Sequence, residues 1–180
     1  TWKHPPFGGE VHDGWIYGVR FQVRSNRTLS LGAAVSYGML QRRVLDPKAP
    51  AGERDLGMVE QSLILPEAVI TMNLTGGKSW HRLAPFLGLG VGAAIGGDTP
   101  SDPSDYEFGV RLSFAPFIGL RFMPTPRLGI RGELRGNLWK LSYPLSYRTT
   151  NEQGDVINAD GSVAEWVMSP VYMFGVSYYF

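Results

Sequence analysis

The segment RLAPFLGLGVGAAI, residues Arg82–Ile95, alternates between large apolar and small side chains. The apolar side chains occupy every second position, at Leu83, Pro85, Leu87, Leu89, Val91, Ala93 and Ile95. The intervening positions carry Arg82, Ala84, Phe86, Gly88, Gly90, Gly92 and Ala94. Successive side chains of a β-strand point to opposite faces, so this period of two predicts a strand with one bulky apolar face and one small face.

Six further segments repeat the period of two: Trp15–Arg24, Leu29–Leu40, Ser62–Leu74, Tyr106–Phe122, Leu128–Leu138 and Trp166–Phe180. Strands of about 10 residues are long enough to cross a bilayer at a tilt. The sequence therefore predicts an all-β fold, an antiparallel up-and-down transmembrane β-barrel. It would form one domain over residues 1–180, with 1–14 as an external loop. The seven segments within 15–180 would be strands 2 to 8 of an eight-stranded barrel.

Composition excludes several classes of protein. The 180 residues contain no cysteine, which excludes disulfides, thiolate catalysis and thiolate metal sites. The net charge of +1 gives no electrostatic footprint for nucleic acid. No run of about 18 apolar residues exists, so a transmembrane helix is excluded. We expect no cofactor and no metal.

The charged residues decide which face of the barrel points inward. If the bulky apolar face filled the interior, as in a soluble lipocalin-like barrel, the outer surface would be largely glycine and alanine, which cover little in a strand. In the opposite arrangement the small face lines a narrow lumen and the apolar face meets lipid, where an arginine at mid-depth would cost about 2–4 kcal/mol. We therefore predict a polar ladder in the lumen, formed by Arg20, Glu67, Arg111, Arg121, Arg131, Glu133 and Arg135.

Aromatic residues cluster near the ends of the segments, as the interfacial girdles of outer-membrane barrels do. The predicted interfacial aromatics are Trp15, Tyr17, Tyr106, Phe108, Trp166 and Tyr178.

The connections alternate between short and long. The short ones are RSNRT (24–28), TGGKSWHR (75–82) and MPTPR (123–127), and the long ones are Gln41–Gln61, Gly96–Asp105 and Ser142–Glu165. Short turns are periplasmic and long loops extracellular in such barrels, which puts the carboxyl terminus in the periplasm. Single-chain bacterial barrels have an even number of strands. We therefore expect an eighth strand upstream of Thr1.

The chain resembles the small eight-stranded outer-membrane barrels, the OmpA-, OmpX- and OmpW-like proteins, over Trp15–Phe180. The resemblance is carried by LAPFLGLGVGAAIG (83–96), by LGIRGELRGNLWKL (128–141) and, most specifically, by the final VYMFGVSYYF (171–180). In that superfamily, a last strand with aromatic residues at alternate positions and a terminal Phe resembles the signal that the barrel-insertion machinery reads. The resemblance therefore implies that Tyr178 and Phe180 form part of an insertion signal. The resemblance also implies the outer membrane of a Gram-negative bacterium, with its lipid and lipopolysaccharide, as the surroundings.

This fold hosts many functions, so function does not follow from it. The leading hypothesis is a non-enzymatic structural or interaction subunit, which engages a protein partner through its external loops or outer wall. The main alternative is a narrow channel or carrier for small polar or hydrophobic solutes. A membrane enzyme is a third class of function. Its candidate residues are His12 and the neighbouring Asp13, because the sequence offers no fuller catalytic constellation.

Overall fold

The computed structural model describes residues 11–46, 49–50, 53–76, 78–99, 106–143 and 164–180. Seven strands form one antiparallel sheet, and their order in the sheet is their order in the chain. They are β1 (Val11–Arg24), β2 (Leu29–Leu45), β3 (Asp55–Asn73), β4 (Leu83–Gly96), β5 (Val110–Phe122), β6 (Leu128–Ser142) and β7 (Ala164–Tyr178). The sheet curls into a half-barrel, which confirms the all-β prediction with its seven antiparallel strands.

The described residues include no helix that is long and apolar enough to cross a membrane.

The concave face of the sheet carries the small and polar residues, and the convex face carries the bulky apolar ones. Val19 and Phe174, both convex, are 77% and 86% exposed. Exposed apolar side chains of the convex face occur on every strand: Trp15, Val19, Phe21, Val35, Ile64, Ile70, Leu89, Leu112, Ile118, Ile130, Leu134, Phe174 and Val176. The buried positions are the alternate ones, such as Thr71, Ser113 and Asn137. The period of two in the sequence therefore becomes a division between the two faces.

The strands β2 and β3 extend well beyond their predicted ends. Their pairing runs from Leu29↔Met72 to Leu45↔Asp55, so only residues 46–54 lie between them. The prediction of a long connection over Gln41–Gln61 was wrong. Arg42, Val44 and Gln61 are buried, because the alternation of faces continues through this polar stretch. Likewise β1 begins at Val11, so residues 11–14 belong to a strand and not to a loop.

Side chains from opposite parts of the sheet meet on the concave face. One apolar cluster lies near the long connections and consists of Leu63, Leu65, Ala94, Tyr106, Phe108, Trp139, Leu141, Tyr143 and Val167. A smaller cluster, Ala34, Val69, Phe86 and Phe117, lies nearer the short turns. Phe86 and Phe117 pack edge to face with ring centroids 6.2 Å apart. The interior is therefore filled by side chains rather than left open.

Tyr106 and Phe108 do not lie at an exposed rim as predicted. They are 4% and 2% exposed and belong to the interior apolar cluster, with Phe108 edge to face against Trp139 at 5.9 Å. The strand β5 begins only at Val110, because Gly109 adopts a φ of +59° and turns the chain before it. The two aromatics therefore precede the strand and fold inward.

The terminal strands β1 and β7 are the two edges of the sheet. Within the described residues each is hydrogen-bonded to one neighbour only, β1 to β2 and β7 to β6. Six antiparallel steps separate them, so β1 and β7 run in the same direction. Ile16 of β1 and Met173 of β7 border the same small internal space, beside Glu67 and Arg135. The curl therefore brings the two edges towards each other without pairing them.

Close packing of the concave face predicts different effects of adding a methyl group to two glycines of adjacent strands. A Cβ on Gly119 would overlap the ring of Phe86 and the carbonyl oxygen of Gly132, whereas a Cβ on Gly132 would lie 3.7 Å from the convex Phe174 ring. We expect Gly119→Ala to lower the free energy of unfolding by about 1–3 kcal/mol, as overpacking does. Urea titration of the folded protein measures this change.

Gly132→Ala is the matched control and should leave the free energy of unfolding unchanged or slightly raised, because the unfolded chain loses freedom. Equal effects of the two substitutions would show that the concave face has room to spare.

Candidate functional site

An ion-pair network crosses the concave face and joins β1, β3 and β6. It consists of Arg20, Glu67, Arg131, Glu133 and Arg135, and we call it the concave network. Glu133 accepts two hydrogen bonds from Arg20, at 3.2 Å and 3.1 Å. It also accepts a hydrogen bond of 2.9 Å from Nε of Arg131. Arg135 pairs with Glu67 and lies 3.9 Å from Glu133, so the carboxylates are shared among strands that are distant in the sequence.

The network is buried, and burial makes its pairing obligatory. The side chain of Glu133 is 1% exposed, and those of Glu67 and Arg135 are 6% and 5% exposed. A charge held away from water costs several kcal/mol unless opposite charges and hydrogen bonds compensate it. Three guanidinium groups face two carboxylates here, so the network keeps an excess of one positive charge.

Aromatic rings and neutral polar groups fill the space around these charges. The guanidinium of Arg131 lies 4.4 Å from the ring centroid of Phe86, and that of Arg20 lies 5.0 Å from the centroid of Phe117. These stacked contacts compensate part of the lost hydration. Gln22 donates a hydrogen bond to Thr71 at 2.7 Å, which connects β1 to β3 directly.

Two of the seven predicted ladder residues lie outside the network. Arg111 turns towards the end of the strand, where its Nε donates to the carbonyl of Phe108 at 2.8 Å. Arg121 lies between the rings of Phe86 and Tyr179, at 5.4 Å and 5.6 Å from their centroids. It forms no ion pair with any described residue. The structure therefore brings five of the seven together and separates the two at the ends of β5.

Sequence reasoning missed several residues that complete the interior. Trp139 and Phe117 have no charge to mark them, although they share the face of Arg135 and Arg121 by alternation. Arg42 stacks over Tyr106 at 4.7 Å, within a stretch predicted as a loop. Consistent counting by two along each strand would have found all three, because parity fixes the face whatever the side chain.

The remaining predicted aromatics lie on the convex side. Trp15 and Tyr17 of β1 are exposed and neighbouring, with ring centroids 5.6 Å apart. Trp166 packs beside Phe114 at 6.0 Å. At the other end Tyr178, the last residue of β7, lies edge to face with Phe180 at 5.3 Å. Exposed aromatics therefore mark both ends of the outer surface.

The histidines offer no constellation that the structure can place. His81 lies in the turn after β3, edge to face with Trp80 at 4.6 Å. The side chains of His12 and Asp13 lie outside the described residues. No group of three or more histidine, aspartate or glutamate side chains that could hold a metal ion occurs in the part of the chain that the structure describes.

Removing the central carboxylate should be costly. We expect Glu133→Gln to lower the free energy of unfolding by about 3–5 kcal/mol, because it leaves Arg20 and Arg131 buried without their counter-charge. The measurement is the urea midpoint of the protein at a pH where glutamate is ionised.

The matched control is Asp55→Asn at the exposed pair Arg43–Asp55, where the side chains are 51% and 54% exposed. An asparagine oxygen can keep the hydrogen bond from the amide of Gly57, so we expect a loss of about 0–1 kcal/mol. Equal losses at the two sites would contradict the buried character of the network.

Comparison of the chain with protein-family models, with curated proteins and with solved structures found no match. The geometry of the faces, the network and the edges therefore carries the functional argument.

Proposed function

We propose that this protein is an integral outer-membrane β-barrel with a side-chain-filled interior, which acts as a structural or interaction subunit through its external loops or its outer wall. One observation carries the proposal. The convex face is apolar on all seven strands, while the charged side chains nearest the middle of the strands are paired on the concave face.

In water this distribution would be unfavourable. Soluble monomers rarely expose a contiguous apolar patch larger than a few hundred Å², and here such side chains follow one another across the whole sheet. In a bilayer the same face is solvated by lipid tails, and the concave charges avoid the hydrocarbon. The exposed aromatics at the two ends, such as Trp15 and Tyr178, suit the two interfaces.

A membrane location also requires closed edges. Unpaired backbone groups in lipid cost several kcal/mol each, so an open sheet edge does not persist there. Because β1 and β7 run in the same direction, pairing them directly would need a parallel ladder in an otherwise antiparallel sheet. One further strand running the opposite way would pair antiparallel with both. We propose that the eighth strand expected upstream of Thr1 takes this place.

The filled interior favours an interaction role over conduction. The concave network and the two apolar clusters fill the interior of the half-barrel between the long connections and the short turns. An eight-stranded barrel has room for little more than its own side chains. What remains available to a partner is the outer wall and the loops.

Site-directed spin labels test the membrane proposal, since the chain has no cysteine to compete with introduced ones. In lipid vesicles a label at Val19→Cys on the convex face should collide readily with dissolved oxygen and weakly with a water-soluble nickel complex. A label at Ser36→Cys, a buried concave position, should be shielded from both. Collision rates come from power-saturation electron paramagnetic resonance.

Strong nickel access at Val19 would place this face in water and overturn the membrane proposal. So would a protein that remains in the aqueous fraction without detergent. A reproducible single-channel conductance that changes with Glu133→Gln would replace the interaction role by the channel alternative.

Cysteine pairs test the closure. We expect Val19→Cys combined in turn with Tyr172→Cys, Phe174→Cys or Val176→Cys to form no disulfide. An intervening strand would hold these positions about 10 Å apart, twice the strand spacing, whereas a disulfide needs Cα atoms within about 7 Å. The readout is migration of the oxidised protein with and without reductant.

The controls are the register pairs Val19–Val35 and Ile130–Val176, which should cross-link. A disulfide between β1 and β7 would mean that seven strands close directly and would remove the eighth strand from the proposal.

A further inference from the structure

A cavity of about 380 Å³ lies at the end of the concave face where the short turns meet. Its described lining comes from the ends of β1, β3 and β5, the start of β4, the β3–β4 and β5–β6 turns and the residue that follows β7. These residues include Arg24, Asn73, Lys78, Arg82, Arg121 and Tyr179. It lies apart from the concave network, none of whose five residues lines it. We call it the mouth cavity.

The mouth cavity has a strong excess of positive charge. Four cationic side chains line it, Arg24, Lys78, Arg82 and Arg121, and the described lining contains no carboxylate. None of the four forms an ion pair with any residue that the structure describes. Water screens the three exposed cations, Arg24, Lys78 and Arg82, but four positive charges around one space with no carboxylate among them still favour an anion there.

Arg121 is the least exposed of the four, and its surroundings leave it unsatisfied. Its Nε is buried without a hydrogen-bond partner, which costs free energy unless something accepts that bond. The β5–β6 register sets Arg121 directly opposite Arg131, and like charges in that relation destabilise a sheet. Glu133 compensates Arg131 and does not reach Arg121. Because Arg121 also lines the mouth cavity, an anion bound there would meet its side chain.

Arg82 is held in place at the rim by the neighbouring turn. Its guanidinium donates to the carbonyl of Pro124 at 3.2 Å, and its own carbonyl accepts from the amide of Met123 at 2.8 Å. Its backbone has a φ of +67°, a conformation that arginine seldom adopts. The two contacts hold this arginine beside the cavity in spite of the strained backbone.

We propose that the mouth cavity binds the phosphate group of a small ligand. Guanidinium groups form paired hydrogen bonds to phosphate, and a phosphate carries about −1.5 to −2 charges where a carboxylate carries one. Asn73, Thr75, Ser79 and Thr125 add neutral hydrogen-bonding groups around the same space. A cavity of this size suits a small molecule. The phosphate could come from a soluble phosphate compound or a phospholipid headgroup, and both present the same chemistry to these arginines.

This inference requires only the geometry of the mouth cavity and holds whether or not the membrane proposal does. The experiment is calorimetric titration of the complete protein in neutral detergent at constant ionic strength. The probes are inorganic pyrophosphate, a water-soluble short-chain phosphatidic acid and citrate. The test variant is Arg121→Gln, which removes the charge opposite Arg131 together with the contacts to the Phe86 and Tyr179 rings. Arg24→Gln at the exposed rim is a second test variant.

The matched control is Arg111→Gln, on the same strand and face but at the far end and not among the residues lining the cavity. We expect at least one phosphate probe to bind, with affinity about tenfold or more weaker in Arg121→Gln and unchanged in Arg111→Gln. Binding of pyrophosphate would identify a soluble source, and binding of phosphatidic acid alone a lipid headgroup.

Three results would overturn the proposal. The first is failure of both phosphate probes to bind. The second is a loss in Arg111→Gln equal to that in Arg121→Gln and Arg24→Gln, which would indicate general attraction to a basic protein. The third is citrate binding as tightly as pyrophosphate, which would show a site that reads charge rather than phosphate.

Discussion

The curl of this sheet depends on the ion pairs that the Glu133 carboxylate forms across the concave face. This carboxylate accepts hydrogen bonds from Arg20 on the first strand and Arg131 on its own strand, and Arg135 lies close by. A β-sheet twists by itself, but twist alone does not decide how far its ends approach. The Arg20–Glu133 pair between the first and sixth strands opposes their separation, because parting them would leave the Arg20 guanidinium, whose side chain is mostly buried, without its counter-charge.

The composition of both faces follows from one constraint: charged side chains need counter-charges or hydrogen bonds when they are buried, and bulky side chains need space. Glycines such as Gly88 and Gly119 allow the Phe86 and Phe117 rings to lie against the strands, and those rings in turn cover the arginines. The convex face has the opposite composition, with exposed Val, Leu, Ile and Phe. Near the middle of the concave face the charged side chains are buried, which explains why they are paired with one another.

Alternation predicted the strands and their faces well, because a period of two is a local property of the sequence. It failed where strands end. Tyr106 and Phe108 alternate with Glu107 and Gly109 as a strand would, but glycine adopts positive and negative φ about equally, so the pattern does not reveal that Gly109 turns the chain. For the site, charge alone pointed to Arg20, Glu67, Arg131, Glu133 and Arg135. Which carboxylate each arginine would meet could not be predicted, since pairing between β1 and β6 depends on the curl.

The strict neighbour-to-neighbour order of the strands has a consequence for how the protein assembles. Each of the six ladders joins strands adjacent in the chain, so each can form as a hairpin with a modest loss of chain entropy. The Arg20–Glu133 pair joins residues 113 positions apart and can form only when the intervening strands are in register. Hairpins should therefore accumulate early, and this ion pair should report completed assembly.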